Sequence, residues 1–229
     1  MRFAWRDGMI RAALLDVDGT LVDSNDAHAS AWVDALREFG HAVGFERVRP
    51  LIGKGGDKLL PELVAIDAES PDGKRIGQRR AEIFRENYLP SLRPFPRASE
   101  LLQRMRSDGL ILQVATSAKK EELEPLLEIC GATKLINGKT SSDDAENSKP
   151  DGDIVAVALS RAGVGAHEAL MLGDTPYDVE AASRVHVGCV ALRSGGWDHR
   201  DLAQALAIYD DASDLLDHYS GSLFAPAGA

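Results

Sequence analysis

The chain has 229 residues, of which 44% are apolar and 27% charged, a composition typical of a folded globular protein and not of a disordered one. Its 36 acidic and 26 basic residues give a net charge of −10, which makes nucleic acid a poor partner. No apolar run reaches the roughly 18 residues of a membrane span, and the N-terminal segment is too polar for a secretory signal. We therefore expect a cytoplasmic protein without nucleic-acid or membrane partners, monomeric or, as the alternative, dimeric.

Four short apolar runs predict buried strands. The first covers residues 10–16 and ends at the turn sequence DGT, and the others cover residues 110–117, 169–174 and 187–192. Helical patterns over residues 119–130, 153–162 and 175–184 separate the last three runs. Cys130 and Cys189 fit neither a metal-ligand spacing nor a redox pair, so both are predicted to be buried thiols. This alternation predicts an α/β fold with a Rossmann-like parallel sheet flanked by helices.

One region interrupts the alternation. From about residue 25 to residue 90 there are amphipathic helical segments but no strand pattern, and two prolines in residues 92–98 then stiffen the return to the sheet. The basic residues of segment 73–80 are interpreted here as a solvated helix face. We predict a core domain formed by residues 1–22 and 93–229, with a helical cap domain, residues 23–92, inserted into it.

Polar side chains follow the predicted strands. Asp16 and Asp18 follow the first strand, Thr116 and Ser117 end the second, and Asp174 ends the third. Ligands bind beyond the carboxyl ends of the strands in open parallel sheets, so these groups are expected to meet at one edge. Carboxylates gathered there would repel one another, and Mg²⁺, which favours a few carboxylates and a substrate phosphate, would remove that repulsion. The pattern therefore predicts Mg²⁺ as cofactor and Asp16, Asp18 and Asp174 as its ligands.

The same groups suit phosphoryl transfer. A carboxylate oxygen of Asp16 can attack phosphorus, and Asp18, past a turn allowed by Gly19, can exchange protons with the leaving alkoxide and then with water. Thr116 supplies a hydroxyl, its neighbours such as Ser117 supply amides, and Lys149 supplies a positive charge to hold the phosphoryl oxygens.

These motifs resemble those of the haloacid dehalogenase superfamily. DVDGT at 16–20, ATS at 115–117, the lysine of SKPDGD at 148–153 and GDTPYD at 173–178 match the four motifs of that superfamily, in its order. The insertion is similar to its small helical (C1) cap, as in the phosphoglycolate phosphatase and β-phosphoglucomutase-like subfamily. The resemblance implies that Asp16 is the nucleophile, that Asp18 is the acid/base and gives its carbonyl to magnesium, and that Asp174, supported by Asp178, completes the metal site.

Three residues of the insertion are candidates for substrate binding. Lys54 and Gly55 lie in a glycine-rich stretch that resembles the specificity loop of capped members, although a plain turn with solvated lysines is an equal alternative. His28 lies in a HASAW segment similar to one in the sugar-phosphate mutases, where it would orient Asp18. As an alternative, His28 is a surface or hinge residue.

The function predicted from the sequence is a Mg²⁺-dependent phosphatase that hydrolyses a small phosphomonoester through an aspartyl-phosphate. A phosphosugar mutase of the β-phosphoglucomutase type is the alternative, disfavoured because residues 87–90 read NYLP where the mutases have a lysine in an NYVK-like stretch. The presence of Asp18 argues against a dehalogenase, and the complete motif set argues against a non-catalytic protein. Phosphoglycolate, sugar phosphates and nucleoside monophosphates all remain open as substrates.

Overall fold

The computed structural model describes residues 9–226, so the N-terminal segment discussed above and the last three residues lie outside it. The chain forms one parallel sheet in the order β2-β1-β3-β4-β5. The strands are β1 (Ala12–Leu15), β2 (Ile111–Val114), β3 (Ala169–Gly173), β4 (Gly188–Leu192) and β5 (Ala207–Tyr209). The four strands predicted from apolar runs are confirmed, and the short edge strand β5 was not anticipated.

Helices cover both faces of this sheet. In chain order they are α1 (Asn25–Glu38), α2 (Phe45–Val48), α3 (Gly56–Val64), α4 (Pro71–Ile83), α5 (Ala98–Ser107), α6 (Lys120–Ile129), α7 (Asp153–Ala162), α8 (Pro176–Arg184) and α9 (Ala212–Asp217). A parallel sheet covered by helices confirms the α/β class predicted from the sequence.

Within the described residues, no helix combines the length and the apolar character that crossing a bilayer demands.

Successive strand residues point to opposite faces, which gives the core two apolar layers. Leu15 belongs to the layer that contains Leu101 of α5 and Leu123 of α6. Its neighbour Leu14 belongs to the other layer, with Ile154 of α7. Each fully buried leucine contributes about 2 kcal/mol of hydrophobic stabilisation, so the sheet needs helices on both sides. Cys130 and Cys189 are both buried free thiols, as predicted.

The segment between β1 and β2 begins with the helices α1 to α4, which share an apolar cluster of their own. Trp32, Leu36, Leu60 and Ile76 are buried in it. The chain leaves and re-enters the core side by side, because Asp23 N donates to Arg93 O at 3.0 Å. On this ground we propose the domain boundaries predicted from the sequence, with residues 23–92 as the cap.

Candidate active site

Three buried carboxylates meet at the carboxyl edge of the sheet. Asp16 follows β1, Asp174 follows β3, and Asp178 lies in the first turn of α8. Each offers an oxygen within 4.8 Å of the other two. The side chain of Asp18 is not part of this cluster, since it turns towards His28. If Asp18 is a metal ligand, it must bind the ion through its main-chain carbonyl. This role stays a prediction.

Asp174 is held from several sides. Its Oδ1 accepts a hydrogen bond from Thr20 Oγ1 at 2.9 Å, and its Oδ2 accepts one from Asn25 Nδ2 at 2.9 Å. Two backbone segments crowd the same carboxylate, because a Cβ atom would lie 2.2 Å from Oδ2 at Gly19 and 1.8 Å from it at Gly195. Gly19 also has a φ of +77°, which few other residues adopt. These contacts fix the direction in which Asp174 presents its oxygens.

Lys149 joins two of the three acids. Its side chain is only 1% exposed, and Nζ lies 2.6 Å from Asp16 Oδ1 and 2.7 Å from Asp178 Oδ1. Burial by itself would lower the pKa of Lys149, but Asp16 and Asp178 outweigh it and raise that pKa above its ordinary value. The second oxygen of Asp178 accepts from Thr175 Oγ1 at 2.7 Å, in the capping box that begins α8. Asp178 is thus engaged by Lys149 and by the helix start.

One lysine does not balance three buried carboxylates. Burial raises the pKa of Asp174 to about 7, and Asp178 adds to the effect. Burial also raises the pKa of Asp16, with Asp178 and Asp174 adding to it against the opposing charge of Lys149. A cation among the carboxylates would favour their ionised forms. An all-oxygen donor set of this charge fits a hard divalent metal ion.

Asp18 has a different environment, made mainly by the start of the cap. His28 Nε2 lies 2.8 Å from Asp18 Oδ1, and Ser24 Oγ donates to the same oxygen at 2.5 Å. Burial would raise the pKa of Asp18, but His28 and Ser24 together lower it below its ordinary value of 3.8. Without substrate Asp18 is therefore ionised. The sequence-predicted contact between His28 and Asp18 is present in the structure.

The basic segment 73–80 is divided between two environments. Lys74 and Arg75 are 63% and 69% exposed, which agrees with the predicted solvated face. Arg80 is only 14% exposed, since it forms an ion pair with Glu122 of α6 and contacts His28. The prediction of a solvated face is therefore wrong for Arg80. Its contacts come from residues distant in the sequence, which a local charge pattern does not reveal.

Thr116 and Ser117 follow β2 and line the same cavity as Asp16. Thr116 is buried, and its hydroxyl accepts a hydrogen bond from Ala118 N at 3.1 Å. The hydroxyl of Ser117 is buried without a hydrogen-bond partner among the described residues. Ser117 therefore has a donor that no described residue uses, in the wall of the cavity that Asp16 also lines.

The cavity has a volume of about 760 Å³ and is lined by residues of the sheet edge and of the cap. Lys54 and Gly55 are both in its wall. Lys54 forms an ion pair with Glu62 at 2.5 Å and lies over the ring of Tyr177, 5.0 Å from its centroid. Gly55 N donates at 3.0 Å to the hydroxyl of Ser148, the residue that precedes Lys149 in the chain. The structure thus places the predicted loop residues in the cavity wall, with Lys54 already paired.

Several residues of the site were not identified from the sequence. Thr20 lies inside the DVDGT motif, but its contact with Asp174 is visible only in three dimensions. Asn25 begins α1, and Gly195 follows β4, with no motif to mark either. A scan of the residues that follow each strand would have found Gly195 but not its role. Its function is to make room for Asp174.

Comparison with known proteins identifies the family. The model of the haloacid dehalogenase-like hydrolases matches residues 13–192. The chain belongs to this family, as its motifs predicted. Phosphoglycolate phosphatase of Escherichia coli K12 is 30% identical in an alignment that covers 90% of this chain and 91% of that protein. The chloroplastic protein SUPPRESSOR OF QUENCHING 1 of Arabidopsis thaliana is 30% identical over 191 residues, which cover 82% of this chain and only 18% of that protein.

Solved structures agree with this assignment. The crystal structure of a hydrolase from Pseudomonas syringae superimposes with a TM-score of 0.85 at 30% identity, covering 92% of this chain and 98% of the other. A β-phosphoglucomutase of Clostridium difficile has a TM-score of 0.80 at 17% identity, covering 94% and 97%. The second likeness is one of fold alone. Phosphatases of this family generally use a divalent metal, and the carboxylate cluster suits one.

Proposed function

We propose that the protein is a Mg²⁺-dependent phosphatase that hydrolyses a small phosphomonoester through an aspartyl-phosphate on Asp16. The observation that carries the proposal is the placement of Asp16. Its carboxylate is bound by Lys149 at 2.6 Å, belongs to the three-acid cluster, and lines the cavity beneath the cap. The similarity to phosphoglycolate phosphatase over nine-tenths of the chain supports the same reaction class.

In the first half-reaction, a carboxylate oxygen of Asp16 forms a bond to phosphorus while the bond from phosphorus to the ester oxygen breaks. The leaving alkoxide takes a proton from Asp18. Asp18 is ionised in the free protein, because its pKa is lowered, but the phosphate dianion beside it raises that pKa again. The proton is therefore taken up as the substrate binds.

In the second half-reaction, water attacks the phosphorus of the aspartyl-phosphate and gives its proton to Asp18. Inorganic phosphate leaves and the Asp16 carboxylate is restored. Lys149 stays charged through both steps, since the carboxylate of Asp178 remains 2.7 Å from its Nζ when Asp16 is phosphorylated. Thr116 and Ser117, whose hydroxyl has no partner among residues 9–226, are the core groups that we assign to the phosphoryl oxygens.

The metal proposed for the carboxylate cluster is Mg²⁺. When bound, it would neutralise charge on the carboxylates and on the phosphoryl group. We assign Asp16 and Asp174 as its carboxylate ligands and the main-chain carbonyl of Asp18 as a third ligand. Asp178, whose oxygens contact Lys149 and Thr175, keeps the supporting role that the resemblance implies.

The proposed substrates are small esters such as phosphoglycolate or a sugar phosphate, because the cavity, about 760 Å³ in volume, has the size of a small-molecule site. Hydrolysis is favoured over the mutase alternative, because a mutase must hold a second phosphate. Two cap lysines could bind that phosphate, but both are already paired, Lys54 with Glu62 at 2.5 Å and Lys58 with Asp151 at 2.8 Å.

The monomeric state and the cytoplasmic location stay predictions from the sequence.

The test is an assay of phosphate release from a panel of small esters, with and without Mg²⁺, for the wild type and Asp16→Asn. Release that requires Mg²⁺ and is lost in Asp16→Asn is expected, and acid-quenched wild-type protein should carry a phosphoryl group on the peptide containing Asp16. Asp23→Asn, an exposed carboxylate nearby in the chain, is the matched control and should keep full activity. Transfer of phosphate between positions of a sugar, without release, would replace hydrolysis by the mutase reading.

A further inference from the structure

Arg80 connects the cap to the core beside the acid/base residue. It lies on α4 of the cap, and its Nη1 donates to Glu122 Oε1 in the first turn of core helix α6. The two side chains are only 14% and 8% exposed. An ion pair shielded from solvent to this degree is weakened less by salt than a surface pair. The pair is therefore a specific contact across the boundary between the two domains.

The same guanidinium also holds His28. Arg80 Nη2 lies 3.0 Å from His28 Nδ1, and its Cζ lies 5.5 Å from the centre of the Phe84 ring. The His28 ring stacks on Phe84 with centroids 4.0 Å apart and planes 10° from parallel. Phe84 thus fixes the ring plane of His28, and Arg80 fixes its rotation in that plane.

The hydrogen-bond direction follows from the chemistry of the guanidinium. Arginine can only donate, so His28 Nδ1 is the accepting nitrogen and the ring hydrogen lies on Nε2. His28 Nε2 therefore donates to Asp18 Oδ1, at 2.8 Å. Ser24 donates to the same oxygen, while Asp18 Oδ2 accepts no hydrogen bond from any residue between 9 and 226. The arrangement engages one oxygen of Asp18 and leaves the other for the substrate.

We propose that Arg80 is a positioning residue that makes the orientation of Asp18 depend on the contact between the cap and Glu122. Arg80 touches neither Asp18 nor the phosphoryl group in this scheme, and it acts through His28. The inference rests on the proposed function, in which Asp18 protonates the leaving group. It adds a reason why proton transfer would be efficient only while the cap is seated on α6.

The test compares two esters of similar size, benzyl phosphate and p-nitrophenyl phosphate, in the presence of Mg²⁺. Benzyl alkoxide is strongly basic and needs the proton from Asp18, whereas p-nitrophenolate leaves without it. The measured quantity is kcat/KM, which covers the steps up to alcohol release. Arg80→Gln should lower kcat/KM for benzyl phosphate by roughly 10- to 100-fold, a part of the 10²–10⁴-fold that a positioned acid supplies, and change the p-nitrophenyl value little.

Further variants separate positioning from a merely structural role. The quantity compared is the ratio of kcat/KM for benzyl phosphate to kcat/KM for p-nitrophenyl phosphate. Glu122→Gln should lower this ratio, as Arg80→Gln does. Arg80→Lys should lower it less than Arg80→Gln, because lysine keeps a donor and the charge. Arg79→Gln is the matched control, because the neighbouring Arg79 pairs with Glu38 and Glu82 inside the cap, and its ratio should stay at the wild-type value.

An equal loss on both esters, or no loss on either, would overturn the inference. If the wild-type protein hydrolyses neither these two esters nor any ester of the panel although it binds Mg²⁺, the proposed function itself fails, and the inference is overturned with it.

Discussion

Asp16 and Asp18 are separated by one residue, yet they depend on different parts of the molecule. The surroundings of Asp16 come from the core, since Asp174 and Asp178 follow β3 and Lys149 lies in the loop before α7. The surroundings of Asp18 come from the cap and its first residues, with Ser24 and His28 in contact. The comparison suggests that the core holds the phosphoryl group and the metal, whereas the cap prepares the proton transfer.

The two environments also shift acidity in opposite directions. Burial raises the pKa of Asp16, and its like-charged neighbours Asp178 and Asp174 raise it further. Burial acts in the same direction on Asp18, but His28 and Ser24 outweigh it and lower the pKa. Two acids in one loop are thus tuned separately, which suits one nucleophile and one proton carrier. Damage to each environment should therefore have a distinct kinetic signature.

The largest effect is expected from Lys149→Met, which removes the positive charge from the core side. We expect kcat/KM to fall by about 10²–10³-fold, as when one preorganised electrostatic group is removed. The loss should be equal for benzyl and p-nitrophenyl phosphate, because Lys149 acts on the nucleophile and the phosphoryl group and not on the leaving group.

The matched control is Lys139→Met, whose exposed ion pair with Glu124 lies outside the site. This variant should retain wild-type kinetics. A leaving-group-dependent loss in Lys149→Met would contradict the division between the two sides.

An intermediate effect is expected from Gly195→Ala. The added methyl group would lie 1.8 Å from Asp174 Oδ2, so the carboxylate must move. Displacing a group that orients a metal ligand typically weakens binding by about 10- to 100-fold. The measurement is calorimetric titration with Mg²⁺. Gly221→Ala, where a Cβ meets nothing within 4 Å, is the control, and equal affinity in the two variants would show that Asp174 is not a ligand.

The smallest effect concerns pH and the metal-free protein. The pKa of Asp174 is raised from 3.8 to about 7 in the fold, so the folded state keeps a proton that the unfolded chain releases. This proton stabilises the fold at low pH, and its contribution is lost as the pH rises from about 4 to about 7. A divalent metal ion bound to Asp174 would replace the proton, so the stabilising effect of added Mg²⁺ should grow over the same range.

Thermal unfolding with and without Mg²⁺ measures this effect. The rise in Tm caused by the ion should be larger at about pH 8 than at about pH 5.5. Asp174→Asn, which cannot titrate, should flatten the dependence. An equal rise in Tm at both pH values for the wild type would contradict the role assigned to the core carboxylates.

The sequence predicted those features that are encoded locally. Strands β1, β3 and β4 are continuous apolar runs, and β2 is interrupted only by Gln113, because parallel strands are buried on both faces. Strand β5 escaped notice because Ala207–Tyr209 has only three residues, each half-buried, at the edge of the sheet. Helices α1 to α4 were expected because the helical periods of residues 25–90 continue without any strand pattern.

The residues of the site also fall into those that local motifs reveal and those that they do not. Asp16, Asp18 and Asp174 stand in short motifs at strand ends, so their convergence follows from the topology of a parallel sheet. Lys149 lies in a loop before α7 and was identified by its motif. Arg80 and Glu122 are 42 residues apart on helices of different domains. Their pairing depends on how the cap is seated, and neither residue type is unusual on a helix surface. Long-range contacts between two domains of this kind are not recorded in local sequence patterns.

The two hydrogen bonds to Asp18 Oδ1 have a consequence for the catalytic cycle as a whole. Ser24 and His28 hold that oxygen, so in the proposed mechanism the alcohol and the attacking water both exchange their protons with Oδ2. The carboxylate then needs no rotation between the two half-reactions. Asp18 Oδ2 is then in the same position at the end of each turnover as at its start. A substrate that displaced this oxygen would slow both half-reactions.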